Sequence, residues 1–309
     1  MKATAFAPVN VAAIKYWGKA DADLRLPANS SLSVNLTNLG TTTTVEWDKN
    51  LTADIADNRM VEHLDRVREI AKFNLKARVE TKNNFPASVG LSSSASGMAA
   101  LTLAATAAAN LKLKTKDLSR LARLASGSAC RSIPDGWAEW ATGNDQASYA
   151  KSIFPADFWD LRVLVVILSQ EKKKVSSTAG QKMAFTSPFY KARVAAIPAK
   201  ITKIKQAIAK KNFSLLGQIM EEDCLNMHAV MLTQRPPLVY WLPETVRVMQ
   251  AVRQWRRQGL ESYFTVNTGQ NVFVFCRPRD EVRLTARLRR LEGVKEVRRD
   301  QIGSGAKLL

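Results

Sequence analysis

Cysteine is scarce in this chain. Cys130, Cys224 and Cys276 are odd in number, far apart and without a CxxC-type pair, so neither a disulfide framework nor a zinc site is indicated. Histidine is scarcer still. His63 and His228 fall in separate helix-patterned segments with no carboxylate or Cys partner at metal spacing, and ordinary structural roles are expected of both. No apolar run approaches the ~20 residues that a membrane span needs. The opening "MKATAFAPVNVAAIKYWGKAD" brings polar Asn10 and a Lys-rich continuation before a signal-peptide core could form, so a cytoplasmic chain is expected.

Acidic residues are also in short supply: 27 Asp and Glu stand against 46 Lys and Arg, a formal net charge of +19. That balance suits anionic ligands and raises nucleic acid as a partner. The distribution argues against nucleic acid. Basic stretches such as "EKKKV" (171–175), "KITKIKQAIAKK" (200–211) and "RLTARLRRLEGVKEVRRD" (283–300) lie mostly in helix-patterned segments whose charges alternate with apolar residues, as on solvated faces. No basic patch is interleaved with aromatics as an RNA platform would be. The seven Trp residues are expected in the core or at a domain interface, Trp17 being the one candidate for a ligand platform.

The 309 residues, 46% of them hydrophobic, suit two mixed α+β domains, placed at 1–158 and 159–309. A first strand is followed by "SSLSVNLTNLGTTTTVEW" (30–47), whose alternation predicts strand, turn and strand. Helix is expected over 58–74, strand over 75–85, and helices over 92–111 and 116–126. A break at 152–160 precedes "LRVLVVILS" (161–169), a buried-strand run. Helices at 187–211, 213–233 and 243–258, an interrupted strand pair at 262–276, a helix at 279–292 and a last strand complete the chain.

The sharpest chemistry lies in "NNFPASVGLSSSASGMAALTLAATAAAN" (83–110). Gly90 permits a tight turn, and three serines then stand at the mouth of a long Ala-rich helix. A helix N-terminus presents unpaired amides and partial positive charge, and serine hydroxyls add donors to a phosphate. One serine would suffice as a cap; three with flanking Gly and Pro point to a phosphate loop. No Gly-Lys-Ser/Thr follows, so it is not a Walker loop.

"PASVGLSSSAS" resembles the phosphate-binding motif of the GHMP kinase superfamily. "NVAAIKYWGKADADLRLPANSSLSVNL" (10–36) and "ASGSACRS" (125–132) narrow the resemblance to the diphosphomevalonate decarboxylase family. "VSSTAGQKMAFTSPFY" (175–190), "MEEDCLNMHAVML" (220–232) and "IGSGAKLL" (302–309) agree in order, so the similarity runs the length of the chain. It implies a GHMP kinase fold: an N-terminal domain like ribosomal S5 domain 2, a ferredoxin-like C-terminal domain, and an active site in the cleft between them. It further implies ATP-dependent decarboxylation of mevalonate 5-diphosphate to isopentenyl diphosphate, through 3-hydroxyl phosphorylation and then loss of phosphate and carbon dioxide. ATP and Mg²⁺ are the expected cofactors, and a homodimer is common in the family.

On the same resemblance, Gly90, Leu91, Ser92, Ser93, Ser94, Ala95 and Ser96 would hold the ATP phosphates, with Ser94 meeting the γ-phosphate or Mg²⁺. Lys15 would lie near the transferred phosphoryl group. Tyr16 and Lys19 would help bind substrate, and Ser126, Ser128 and Arg131 would form a second anion seat favouring the 5-diphosphate. Asn29, Ser30 and Ser187 are weaker candidates.

Two stretches depart from the family pattern. Where its members carry Thr-x-Asp-Ala-Gly-Pro-Asn, this chain reads "TVNTGQN" (265–271): Asn267 replaces the catalytic Asp, Thr268 the Ala and Gln270 the Pro. "RSIPDGW" (131–137) has Pro134-Asp135 in place of an aromatic-Gly pair. An amide carries no negative charge and cannot accept the proton. Three readings stay open: decarboxylation with Asn267 orienting the hydroxyl; phosphorylation alone, as by a mevalonate 3-kinase; or Asp135 or another carboxylate taking over. A silent anion-binding module is a further alternative, which retention of Lys15, Ser92–Ser94 and Arg131 opposes.

Overall fold

The computed structural model describes residues 1–51, 55, 57–86 and 90–309. Residues 87–89 of the proposed phosphate loop lie outside the described set.

One irregularity in the first strand, β1 (Lys2–Ile14), decides where polar residues collect. Side chains alternate faces along a strand, so an inserted residue flips every one that follows. Ala5 and Ala7 face the helices of the first domain, whereas Val9, Val11 and Ala13, still odd-numbered, face the second. The register shift between Pro8 and Asn10 causes the switch and puts Asn10 and Ala12 on the other side. A short hairpin of β2 (Lys19–Asp21) and β3 (Leu26–Pro27) follows, then β4 (Ser31–Asp48). In β4, Leu32, Val34 and Leu36 enter the core, while Ser31, Ser33 and Asn35 are buried on the opposite face.

The sheet is completed by β5 (Lys76–Asn83), β6 (Trp137–Trp140) and β7 (Ala150–Phe154), all antiparallel to their neighbours. Helices α1 (Asn58–Ala71), α2 (Ser93–Ala108) and α3 (Thr115–Ala125) supply Leu64, Val67, Leu101 and Leu121 to its helix-side cluster. The small side chains of the Ala-rich helix let α2 lie close on β1 and β4.

The second domain holds a four-stranded antiparallel sheet with β8 (Arg162–Ile167) inside it. Then come α4 (Ser177–Lys182), α5 (Tyr190–Ala209), α6 (Phe213–Thr233) and α7 (Pro243–Arg257). β9 (Ser262–Thr265) and β10 (Val272–Cys276) form the interrupted pair, followed by α8 (Glu281–Arg289) and β11 (Glu296–Gln301). Both faces of β8 are covered. Val163, Val165 and Ile167 join a cluster shared with α5, α6 and β1, while Leu164, Val166 and Leu168 pack with α7 and α8. This is why its sequence is continuously apolar rather than alternating. The last strand, β12 (Lys307–Leu308), returns to pair with β1. We propose the domain boundary at 158/159, in the link between β7 and β8.

The expected turn within 30–47 is absent: β4 is a single strand. Gly40, inside that stretch, serves a close approach, since a Cβ there would fall 2.2 Å from the Phe6 ring. Strands β6 and β7 also escaped the sequence pattern, lying in a segment rich in Trp, Gly and Ser. Among the described residues no helix is long and apolar enough to cross a membrane.

Candidate active site

The cleft forms where the end of β1, the start of α2 and the β9–β10 loop converge. Lys15 is 2% exposed. Its Nζ donates to Ala12 O at 2.6 Å and to Asn267 Oδ1 at 3.0 Å. Its backbone amide donates to Asp223 Oδ2 at 2.7 Å, and Asn29 Nδ2 donates to its carbonyl at 2.8 Å. Burial lowers the Lys15 ammonium from its ordinary value to about 8; Asp223 opposes the shift, while Arg131 and Arg193 add to it.

Asn267 sits in the 266–271 loop with both ends of its amide engaged. Oδ1 accepts from Lys15, and Nδ2 donates to Ser92 Oγ at 3.0 Å and to Asn10 O at 3.3 Å. The His228 ring donates from Nε2 to Asn267 O at 3.2 Å. A carbonyl only accepts, so this bond fixes the His228 tautomer. The loop is a strand connection, as its turn residues suggest, and also delivers Asn267 into the cleft.

Ser92 opens α2 in the left-handed region (φ 62°) and gives the helix no side-chain cap. Its hydroxyl instead donates to Asn10 O at 3.0 Å and accepts from Asn267. Such a helix mouth suits an anion. Gly90 (φ +86°) lies against the other domain, where a Cβ would fall 2.6 Å from Gly269 Cα. Ser94 Oγ donates to Ser126 Oγ at 3.3 Å, which joins the two serine groups that the sequence singled out. The side chains of Leu91 and Ser96 point elsewhere: Leu91 is core, and the Ser96 hydroxyl pairs with Thr41 Oγ1 at 2.7 Å.

Arg131 is 3% exposed and held by neutral acceptors alone among its hydrogen-bond partners: Ser31 Oγ (2.7 Å), Ser33 Oγ (3.1 Å) and Asn10 Oδ1 (3.3 Å). Burial lowers its pKa. Tyr16 rests edge-on against Trp140, with ring centroids 4.7 Å apart, and its buried hydroxyl has no partner among the described residues.

Two connected spaces result. The inner, about 430 Å³, is lined by Asn10, Lys15, Tyr16, Ser128, Arg131 and Asn267 among others. The outer, about 960 Å³, is lined by Lys19, Arg25, Arg59, Ser92–Ala95, Ser126 and Lys173 among others. Tyr16, Ser92, Ser128, Ser177, Gln181 and Thr268 border both, so the cleft is continuous. Among the described residues no Asp or Glu lines either part.

Asp135 stands outside the cleft, its Oδ2 accepting from Ala156 N at 3.1 Å, so it does not replace a catalytic carboxylate. Ser187 pairs with Thr233 Oγ1 at 2.6 Å and Ser30 Oγ accepts from Thr142 N, so neither reaches the cleft; Asn29 braces Lys15 from behind. Trp17 is fully buried, its Nε1 donating to Gln234, and offers no platform. His63 pairs with Thr102 Oγ1 inside the first domain. Among the described residues there is no His, Cys, Asp and Glu group fit for a metal. Sequence reasoning missed Asn10, Arg25, Lys173, Gln181 and the Arg193–Asp223 pair. Lys173 was submerged in the run "EKKKV", where a solvated face is the ordinary expectation.

A serine-lined helix mouth facing buried cations across a two-domain α+β cleft defines a phosphotransferase of the GHMP kinase fold. Residues 7–151 match the diphosphomevalonate decarboxylase-like N-terminal domain, and residues 163–305 the mevalonate 5-diphosphate decarboxylase C-terminal domain. The diphosphomevalonate decarboxylase of Ganoderma lucidum is 34% identical, covering 91% of this chain and 80% of its own; that of Bos taurus is 35% identical, covering 88% and 76%. The structure of MDDEF in complex with MVAPP, AMPPCP and magnesium superposes with a TM-score of 0.93 at 38% identity, covering 100% of this chain and 99% of that one. The mevalonate diphosphate decarboxylase of Staphylococcus aureus gives 0.93 at 35% identity, covering 100% and 98%. The chain belongs to the diphosphomevalonate decarboxylase family.

Proposed function

We infer that the chain catalyses the ATP-dependent decarboxylation of mevalonate 5-diphosphate to isopentenyl diphosphate, a step of isoprenoid biosynthesis. The observation that carries this reading is one continuous cleft with a serine helix mouth at one end and two buried cations at the other. Lys15 and Arg131 are buried in a space that no carboxylate lines among the described residues, an arrangement that favours a highly charged anion.

The donor set fits ATP. The uncapped start of α2, the Ser92–Ser94 hydroxyls, Lys19 and Lys173 suit a triphosphate. Mg²⁺ would be held by nucleotide oxygens, water and a serine hydroxyl such as Ser94, and would neutralise phosphate charge during transfer. Tyr16, Arg131 and Ser128 would seat the substrate diphosphate. Lys15 and Asn267 would then meet the 3-hydroxyl. Loose phosphoryl transfer asks the protein chiefly for position and charge; Lys15 and Asn267 supply the position, and Arg131 and Lys19 the charge. A cytoplasmic homodimer belongs to the same reading, and light scattering with cell fractionation would test it.

The lack of a carboxylate among the described residues of the cleft favours a second reading, in which reaction stops at the 3-phosphate. Loss of phosphate and carbon dioxide develops positive charge at C3, which a nearby negative group would stabilise. The deciding experiment measures ADP and carbon dioxide together, with mevalonate 5-diphosphate as substrate. Equal amounts are expected. ADP without carbon dioxide establishes the kinase instead, and no substrate-stimulated ADP refutes both.

A further inference from the structure

We propose that Lys15, as a neutral amine, is the group that takes the proton from the substrate's 3-hydroxyl during phosphoryl transfer. The proposal rests on the phosphoryl-transfer reading above and deepens it.

The titratable residues lining the cleft, among those described, are Lys15, Tyr16, Lys19, Arg25, Arg59, Arg131 and Lys173. Guanidinium groups do not deprotonate in proteins. Burial pushes the Tyr16 phenol up, away from the anion. Lys19 and Lys173 line only the outer space; burial brings Lys173 to about 8 as well, but its Nζ already meets three acceptors, Ser177 Oγ (2.7 Å), Thr268 O (2.8 Å) and Thr268 Oγ1 (3.5 Å), which leaves no direction for a substrate proton. Lys15 is the one that reaches the inner space beside Asn267 and can lose a proton.

A neutral amine has two N–H bonds and one lone pair. Lys15 Nζ has two acceptors in the protein, Ala12 O and Asn267 Oδ1, so its third direction is left for the cleft. The carboxylate that approaches Lys15, Asp223, is committed: Arg193 takes both its oxygens, and one also accepts the Lys15 backbone amide.

Asp223, Cys224 and His228 face the amine from α6, Arg193 from α5 and Arg131 from the turn after α3. Cys224 and Asp223 favour the ammonium and Arg131 and Arg193 oppose it, and burial, larger than any of them, brings Lys15 to about 8. Asn267 thereby acquires a purpose. A carboxylate at 267 would hold Lys15 as an ammonium ion, whereas an amide accepts its N–H without adding charge.

The step balances. The 3-hydroxyl O–H breaks and its proton goes to the Lys15 lone pair. The oxygen's electrons form the bond to the γ-phosphorus, whose bond to the bridging oxygen breaks to release ADP. The Lys15 ammonium then stands beside the new ester and can return the proton to the departing phosphate.

The test is the pH dependence of ADP formation at saturating substrates, in the wild type, Asn267→Asp and Lys15→Arg. The wild-type rate should fall about tenfold per pH unit below a limb near 8. In Asn267→Asp the carboxylate becomes the acceptor, and the limb should move down by about two pH units or more. Lys15→Arg keeps the charge but cannot take the proton, and should lose about 10³-fold with native circular dichroism. A flat wild-type profile, an unmoved limb in Asn267→Asp, or a Lys15→Arg variant within about tenfold of wild type overturns the proposal. ADP formed with any of those profiles leaves phosphoryl transfer standing; no ADP at any pH removes both.

Discussion

Arg193 grips Asp223 with both arms, Nη1 to Oδ1 at 3.0 Å and Nη2 to Oδ2 at 3.1 Å, and both side chains are fully buried. Asp223 in turn accepts the amide of Lys15, so a pair spanning α5 and α6 pins the end of β1 across the domain interface. Removing one partner strands a buried charge. Asp223→Ala should cost about 3–5 kcal/mol in urea unfolding. The double variant Arg193→Met, Asp223→Leu should recover much of that loss, because a packed apolar pair replaces a desolvated ionic one. Its catalysis should not recover, since Lys15 stays unpinned. A double variant as unstable as the single one would show that the pair acts through more than its charge.

Both histidines are buried, and burial lowers each to about 3. An unfolded histidine titrates near ~6.5, so between those values the unfolded chain binds the extra proton. The stability that neutral His63 and His228 allow is therefore complete above the unfolded pKa and drains away as pH falls below it. Each should remove about 1.4 kcal/mol per pH unit over that window. Urea midpoints taken from about pH 6.5 down to about pH 4.5 should fall less steeply in His63→Gln than in the wild type. Equal slopes would mean that His63 is protonated in the fold.

Gly90 touches the other domain where no side chain fits. An added Cβ would lie 2.6 Å from Gly269 Cα and 3.0 Å from Gly269 N, both backbone atoms, at φ +86°. Gly90→Ala should lift the serine loop off the β9–β10 loop and lower kcat/KM for ATP by about 10²-fold, the scale of an ångström's misplacement. Gly97→Ala is the control: it lies one turn into α2, with nothing within 4 Å of the new atom. It should stabilise the helix by about 0.5–1 kcal/mol and leave ATP use alone. Similar ATP kinetics in the two variants would refute the steric argument.

What could be read from sequence was local. The serine loop, the buried run 161–169 and the long helices each write their structure into consecutive residues, through turn chemistry, β-branching or period. Gly40 lies in the stretch where a turn is expected, and a glycine that opens a turn and one that admits a neighbouring ring look alike in one dimension. The Arg193–Asp223 fork was illegible for another reason. Its members lie on two helices, and each reads alone as a surface charge until α5 and α6 pack. Gln181 came from a stretch noted only for its family likeness. Its Oε1 is buried without a partner among the described residues, a fact that only tertiary structure exposes. Asn267 was legible as a departure, but its double engagement with Lys15 and Ser92 required the two domains to meet.

The Tyr16 hydroxyl separates binding from folding. It has no protein partner among the described residues, and Tyr16 lines both parts of the cleft, so the hydroxyl is left for a ligand rather than for the fold. Tyr16→Phe keeps the ring that rests edge-on against Trp140. It should therefore leave the stability of the free protein within about 0.5 kcal/mol in urea unfolding. The same change removes a hydrogen bond to a charged phosphate, whose usual worth of about 1.5–3 kcal/mol corresponds to a rise of at least about tenfold in KM for mevalonate 5-diphosphate. Turnover at saturation and KM for ATP should hold, because the hydroxyl is assigned to the far diphosphate and not to the reacting oxygen. A variant that binds as well as the wild type would show that the hydroxyl faces no substrate group.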